Sequence, residues 1–413
     1  MTSSALPFDG LKVLDLSRLL PGGFCSLLLA DFGADVIKVE DTGMGDYIRW
    51  SPPAFEGAEE TAKSALFLSL NRGKRSIRVD LKTAEGRDVL LRLVRDADVV
   101  LESFRPGVLD RLGVGYERLK EENPGLVYCA ITGYGLTGPN VQRSGHDMNY
   151  LGLNGVLALG GDSADGPPVQ AGAQIADLGG GALMGAFGIL AALRERDRSG
   201  EGQLVDVSMF DGALSWLAMV AARVFAAGEA PRRGSEMLSG SLLCYRPYRC
   251  ADGWVTLGAL EPKFFGAFCD GVGRPELKEK QFEGPGTAAH GEVEAIFLTR
   301  TRDEWAAFAD ANDCCLEPVL EVEEALESEL VRAREMVIEF EQPGAGKVKG
   351  LGMPVKLSRT PGRVRSGGPA LGEHTEEVLG EAGISAEEIA ALVASGAVAT
   401  AKTAEAGATF LGS

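Results

Sequence analysis

Histidine is scarce in this chain: three in 413 residues, His146, His290 and His374. Proton transfer that needs an imidazole near neutral pH therefore has only three possible positions. Cysteine offers no framework. The seven cysteines are odd in number, scattered, and never spaced C-x-x-C, so neither a zinc site nor a disulfide set is signalled, and free thiols in a reducing cytosol fit best. Positive charge is also short, with 41 Lys and Arg against 59 Asp and Glu, a formal net charge of −18. That balance disfavours nonspecific binding to nucleic acid or anionic membranes, and it makes any local group of cations stand out. Long apolar runs are missing as well. The longest uncharged one, Leu178–Leu193, is glycine-rich and falls short of the ~18–20 residues that span a bilayer, so it predicts a buried helix. Met1–Ala5 carries no basic or apolar signal region, and Leu411–Ser413 is no peroxisomal address. A cytoplasmic protein without metal, membrane or nucleic-acid partner is the expectation.

What is present is an ordinary globular composition, 45% hydrophobic and 24% charged, in a chain too long for one core. Strand-like and helix-like segments alternate from residue 11 to 131: Leu11–Leu16, a turn at Pro21-Gly22-Gly23 opening a helix through Ala30, Val36–Glu40, Ser76–Val79, an amphipathic helix Ala84–Arg95, Val99–Glu102 and Leu126–Ile131. Alternation of this kind predicts an α/β fold with a parallel sheet covered by helices. The first unit imitates a dinucleotide-binding unit, but Gly22-Gly23 does not match G-x-G-x-x-G, so the nicotinamide reading falls away. A strand is expected at Gln203–Ser208. After a turn-rich linker at 227–234 come short strands (Tyr245–Cys250, Trp254–Gly258), then helices to about 330. Residues 334–370 read as a long return connection, 374–398 as a helix-containing cap, and the last dozen residues as frayed.

Three acid–base candidates stand out. His146, in Gly145-His146-Asp147, sits where an apolar helix through Leu151, Leu153 and Val156 should begin. A helix start offers unpaired N–H groups and a partial positive charge, which keeps the imidazole near neutral and leaves the Asp147 N–H for a developing oxyanion. The plain alternative is that Asp147 caps the helix and His146 is a surface residue. Asp177, in Asp177-Leu178-Gly179-Gly180-Gly181, heads the long apolar helix with glycines that admit close approach; taken alone it reads first as an ordinary N-cap. Glu261 ends a strand before a proline-started helix and, taken alone, reads first as an exposed capping acid. Arg49, the group Arg72, Lys74 and Arg75, and Arg105 past a strand end suit phosphate groups, against the alternative of solvated surface charge.

Taken together the motifs resemble the family III CoA-transferase superfamily, which also contains α-methylacyl-CoA racemases. The resemblance rests on Val13–Glu40, Asn71–Ile77, Arg105-Pro106-Gly107, Thr132–Pro139 and Leu371–Thr375. It implies a large Rossmann-like domain built from both chain ends (1–225 and 331–413), a smaller α+β domain (226–330), and two chains threaded as an interlocked homodimer. Gly145–Tyr150 and Ala259-Leu260-Glu261-Pro262-Lys263-Phe264 match the racemase branch. In that branch Asp177 and His146 would serve opposite faces of the α-carbon and the partner subunit's Glu261 would orient His146. The Asp147 N–H would meet the enolate oxygen. Coenzyme A, as part of the substrate and not a separate cofactor, would meet the basic residues together with Gly145 and Tyr150. In the transferase branch Asp177 would be the nucleophile. The chain departs from racemases at Ser239, at Ala171–Ile175, and at Asp41, where an arginine is usual and Arg49 is the nearby replacement.

Overall fold

The structure is a computed structural model that describes residues 5–403; the fraying expected for the last dozen residues falls, from 404 onward, outside the described residues. Twelve strands are present among them: β1 Lys12–Asp15, β2 Asp35–Glu40, β3 Arg75–Val79, β4 Val99–Glu102, β5 Val127–Thr132, β6 Leu204–Ser208, β7 Tyr245–Arg249, β8 Trp254–Gly258, β9 Leu316–Pro318, β10 Val337–Gln342, β11 Gly346–Leu351 and β12 Val398–Ala399. The chain divides into two compact units. The first comprises residues up to Asn154, Ala173–Trp216 and the chain from Leu330 onward; the second comprises Gly155–Gly172 and Leu217–Glu329.

The first unit is α/β. Its seven-stranded sheet has the order β12-β3-β2-β1-β4-β5-β6. Five neighbouring pairs are parallel, and β12 alone runs antiparallel, against β3. Parallel strands are covered on both faces, so their sequences are continuously apolar, and all six residues of β5 are buried. One face carries the core of Leu14, Ile37, Val100 and Tyr128 under the helices Ala84–Val94, Thr375–Glu381 and Ala386–Ser395. Both chain ends thus build one sheet, because β12 needs the edge that β3 offers.

Toward the other face lies the glycine-rich run expected as a buried helix. It is a π-helical stretch, Ile175–Leu183, continuing as the α-helix Met184–Ser199. The helix outlasts the apolar run through Arg194–Ser199, and over Ile175–Ser199 it is long and apolar enough to cross a bilayer. It is only half buried. A Cβ on Gly181 or Gly185 would come within 2.8 Å of Met209 or Ile131, so these glycines let the helix lie against the sheet end, while Leu183, Phe187 and Leu190 are exposed.

Residues 334–370 contain an antiparallel hairpin, β10–β11, where a plain connection was expected. Its strands alternate apolar and charged residues (Ile338, Glu339, Phe340, Glu341; Lys347, Val348, Lys349), as a ribbon with one wet face does, and the density of Gly, Pro and charge masks that pattern. The second unit packs a three-stranded antiparallel sheet, β7-β8-β9, against helices through Phe265, Phe268, Phe297 and Trp305. It also takes Gly155–Gly172, which the sequence reading placed in the large domain. Gly155, at φ 90°, ends the run from Asp147 and splits the single helix expected there into Asp147–Leu153 and Val156–Leu159.

Candidate active site

The strand order reverses between β1 and β4, and in open parallel sheets ligands bind at the strands' carboxyl ends where that happens. A cavity of about 1050 Å³ opens there. Arg18 and Leu19 follow β1 into it, Ser103 and Arg105 follow β4, Gly133 and Tyr134 follow β5, and His146, Asn149, Gln174 and Asp177 complete the wall.

The segment after β1 is held from behind by buried polar side chains. Ser17 N–H donates to Asp15 Oδ1 at 2.9 Å and its carbonyl accepts from Lys38 Nζ at 3.0 Å; Arg18 N–H donates to Ser103 Oγ at 3.2 Å. Leu19 then starts a helix, Leu19–Asp31, at φ 60°. That left-handed conformation costs a branched residue roughly 1–2 kcal/mol, and the Asp46 carboxylate offsets it by accepting the Leu19 N–H at 3.1–3.2 Å. Asp46 is itself paired with fully buried Lys38 at 2.9 Å.

His146 is the non-helical residue heading Asp147–Leu153. It is exposed, and its backbone N–H donates to Asn149 Oδ1 at 3.0 Å. Asp147 is buried, and its carboxylate does a job the sequence did not suggest. Its Oδ1 accepts the N–H groups of Ala176 (2.6 Å) and Asp177 (3.1 Å), so the start of this helix holds the start of the π-helical stretch Ile175–Leu183. Asp177 is thereby fixed in the same cavity as His146. Burial, and then the neighbouring Asp147 charge, push its carboxyl up to about 6. Local π-helical geometry of this kind concentrates at functional sites. Gly145 and Tyr150 also line the cavity: the Tyr150 hydroxyl donates to the Gly145 carbonyl at 2.5 Å, and a Cβ on Gly145 or Gly133 would meet the Tyr150 ring at 2.7 Å.

The basic residues separate. Arg105 is exposed on the cavity wall. The other four do not line it. Arg49 is fully buried and bidentate to Glu40 at 2.6 and 2.8 Å, so it cannot replace an arginine at position 41. Arg72 is buried against Asp31 at 2.8 Å, and Lys74 is buried against Asp15 at 3.3 Å. Arg75 is shared among Asp35, Glu377 and Glu381. These cations are internal braces: Lys74 and Arg75 meet acids of the strands β1 and β2, Arg72 meets the end of the helix Leu19–Asp31, and Arg49 folds back onto the end of β2. Arg18 and Arg143 line the cavity and went unassigned from sequence; the signal for Arg18 was its place directly past a strand end. Glu261 belongs to the second unit, exposed at the head of Pro262–Gly271. No group of three or more His, Cys, Asp or Glu among the described residues has the geometry of a metal site.

The chain matches the family described as CoA-transferase family III over residues 8–375. It belongs to that family. This family III chain is 38% identical over 403 residues to an acyl-CoA transferase of Fusarium pseudograminearum, covering 94% of this chain and 88% of the relative. It is also 38% identical over 389 residues to the mouse alpha-methylacyl-CoA racemase, covering 92% and 94%. Among solved structures, a CAIB/BAIF family protein from Brucella suis superposes with a TM-score of 0.80 at 34% identity, over 92% of this chain and all of that one. The two named reactions are equally close by identity, so overall similarity does not choose between them.

Proposed function

We propose that this family III chain is an epimerase of 2-methyl-branched acyl-CoA thioesters, working by 1,1-proton transfer through an enolate. The observation that carries the reading is the pairing of His146 with Asp177 in one cavity, the carboxyl raised to about 6. A Cα–H beside a thioester is weakly acidic, and inversion needs one group to remove the proton and a second to return one from the opposite face. A carboxyl near 6 exchanges protons closer to neutral pH than one near 4, and imidazole is its natural counterpart. The Asp147 N–H, in a first helical turn without an intrahelical acceptor, is assigned to the enolate oxygen. Arg105 is assigned to the phosphates of coenzyme A, with Gly145 and Tyr150 in the same wall. The working form is an interlocked homodimer in which the partner subunit's Glu261 orients His146 as a carboxylate orients a catalytic imidazole. The chemistry calls for no metal or separate cofactor.

CoA transfer to a free carboxylic acid is the second reading. It is favoured by Gln174 beside Asp177 in the cavity and by the transferase relatives, and it needs Asp177 as nucleophile. Incubation in D2O with a (2R)-2-methylacyl-CoA and no acceptor acid separates them. α-Deuterium gain with convergence of the epimers supports epimerisation. Absence of exchange, with CoA passing to an added labelled acid, gives the chain to transfer.

A further inference from the structure

Three arginines line the cavity: Arg18, Arg105 and Arg143. Among the ion pairs of the described residues, only Arg18 of these three has a carboxylate partner. Arg18 Nη2 meets Asp41 Oδ2 at 2.5 Å and its Nη1 donates to the Tyr47 hydroxyl at 2.6 Å. Asp41 is held independently of Arg18, because its Oδ1 accepts the N–H groups of Gly43 (2.8 Å) and Gly45 (3.1 Å). The pair is not sealed: the side chains are 28% and 38% exposed. An ion pair so open to water is weakly held, while an oxyanion that a ligand desolvates against the cavity wall gives the guanidinium a stronger charge-assisted bond. The guanidinium can therefore turn from Asp41 to an incoming oxyanion, while Asp41 stays anchored by its glycines.

We propose that Arg18 is a seat for a ligand oxyanion and that Asp41 is its resident competitor, so that this pair sets how tightly the cavity holds its anionic ligand. The oxyanion is a carboxylate carried on the acyl group or a phosphate of the coenzyme A portion; both offer the fork geometry a guanidinium takes. The inference rests on the reading of the cavity as an acyl-CoA site. It adds an anion seat placed past β1, apart from His146 and Asp177.

Equilibrium binding tests it without requiring turnover. Dissociation constants of CoA, 2-methylpropanoyl-CoA and succinyl-CoA are measured by calorimetry on the full-length wild type, Asp41→Asn and Arg18→Gln, with thermal unfolding confirming that each variant folds. Asparagine keeps the acceptor for Gly43 and Gly45 and removes the competing charge. The expected result is affinity tightened about 3- to 5-fold in Asp41→Asn and weakened about tenfold in Arg18→Gln, as a charge-assisted bond predicts. Confinement of both changes to succinyl-CoA assigns the seat to an acyl carboxylate; equal changes for all three ligands assign it to a phosphate. The proposal is overturned if both variants stay within twofold of wild type for every ligand, or if Asp41→Asn binds more weakly. A wild type that binds no CoA at all overturns the acyl-CoA reading, and this inference with it.

Discussion

Two carboxylates, Asp177 and Glu40, show how neighbours decide what burial does. Burial raises Asp177 to about 6, and the nearest charge, Asp147, pushes the same way. Burial would raise Glu40 too, but the Arg49 guanidinium overrides it and holds the carboxyl at about 2. The same contrast separates the cations. Arg49→Ala leaves Glu40 buried without its partner and should cost about 3–5 kcal/mol, read as a large fall in the urea midpoint. Arg105→Ala, at an exposed position, should change stability by less than about 0.5 kcal/mol while weakening CoA about tenfold in a binding titration. A stability loss in Arg105→Ala, or unchanged CoA affinity, would refute its assignment to phosphate. At this scale the sequence was half legible. It singled out His146, Asp177 and Arg105 by type and position. It could not tell them from Arg49, Arg72 and Lys74, because which acid claims each cation is decided by the fold: Asp31 and Asp15 lie 41 and 59 residues from Arg72 and Lys74, and even Glu40, nine residues from Arg49, meets it only once the turn after β2 folds back.

The helix bearing Asp177 works as an element through its glycines. A Cβ on Gly180 would lie 2.6 Å from the Met209 carbonyl and 2.8 Å from the Ala213 nitrogen, both backbone atoms that cannot swing aside. Gly180→Ala should therefore destabilise by roughly 2–3 kcal/mol and displace Asp177 with it, so turnover should fall further than stability. Gly172→Ala, with nothing within 4 Å of the added Cβ, should leave the urea midpoint nearly unchanged. Equal midpoints for the two variants would show that the helix packs differently. Element types read well from sequence here, since β1 to β6 are short apolar runs between helical patterns. The hairpin β10–β11 did not, because its alternation is carried by charges in a stretch dense in glycine and proline. The break at Gly155 was hidden as well, since an isolated glycine is compatible with a continuing helix until its φ is known.

For the whole molecule, the shifted carboxyls give stability a pH optimum on the acid side. Glu102 is raised to about 7, by burial first, with the Phe104 N–H opposing and Asp110 reinforcing. Groups raised in the folded state stabilise fully below their unfolded values, and that contribution fades as pH rises through about 6 for Asp177 and about 7 for Glu102. Glu40, lowered to about 2, stabilises above its ordinary 4.5, and its contribution fades as pH falls toward 2. Unfolding free energy measured in urea should thus peak near pH 4–5 and decline toward pH 8. The double variant Asp177→Asn/Glu102→Gln should shrink the difference between pH 5 and pH 8 by about 4 kcal/mol. A difference unchanged in the double variant would leave relief of the −18 net charge as its cause.

The sequence by itself determined the α/β class, the strands β1 to β8 and several helices, and the short list of acid–base candidates, because apolar periodicity and rare residue types are local properties of the chain. Only the tertiary structure decided which charges face a ligand. The order β3-β2-β1-β4-β5 sends Arg18, Arg105, His146 and Asp177 to one crevice and turns Arg49, Arg72 and Lys74 inward against Glu40, Asp31 and Asp15. A charge's role depends on which opposite charge lies within a few ångströms, and pairing across a parallel sheet joins residues that sequence spacing keeps apart.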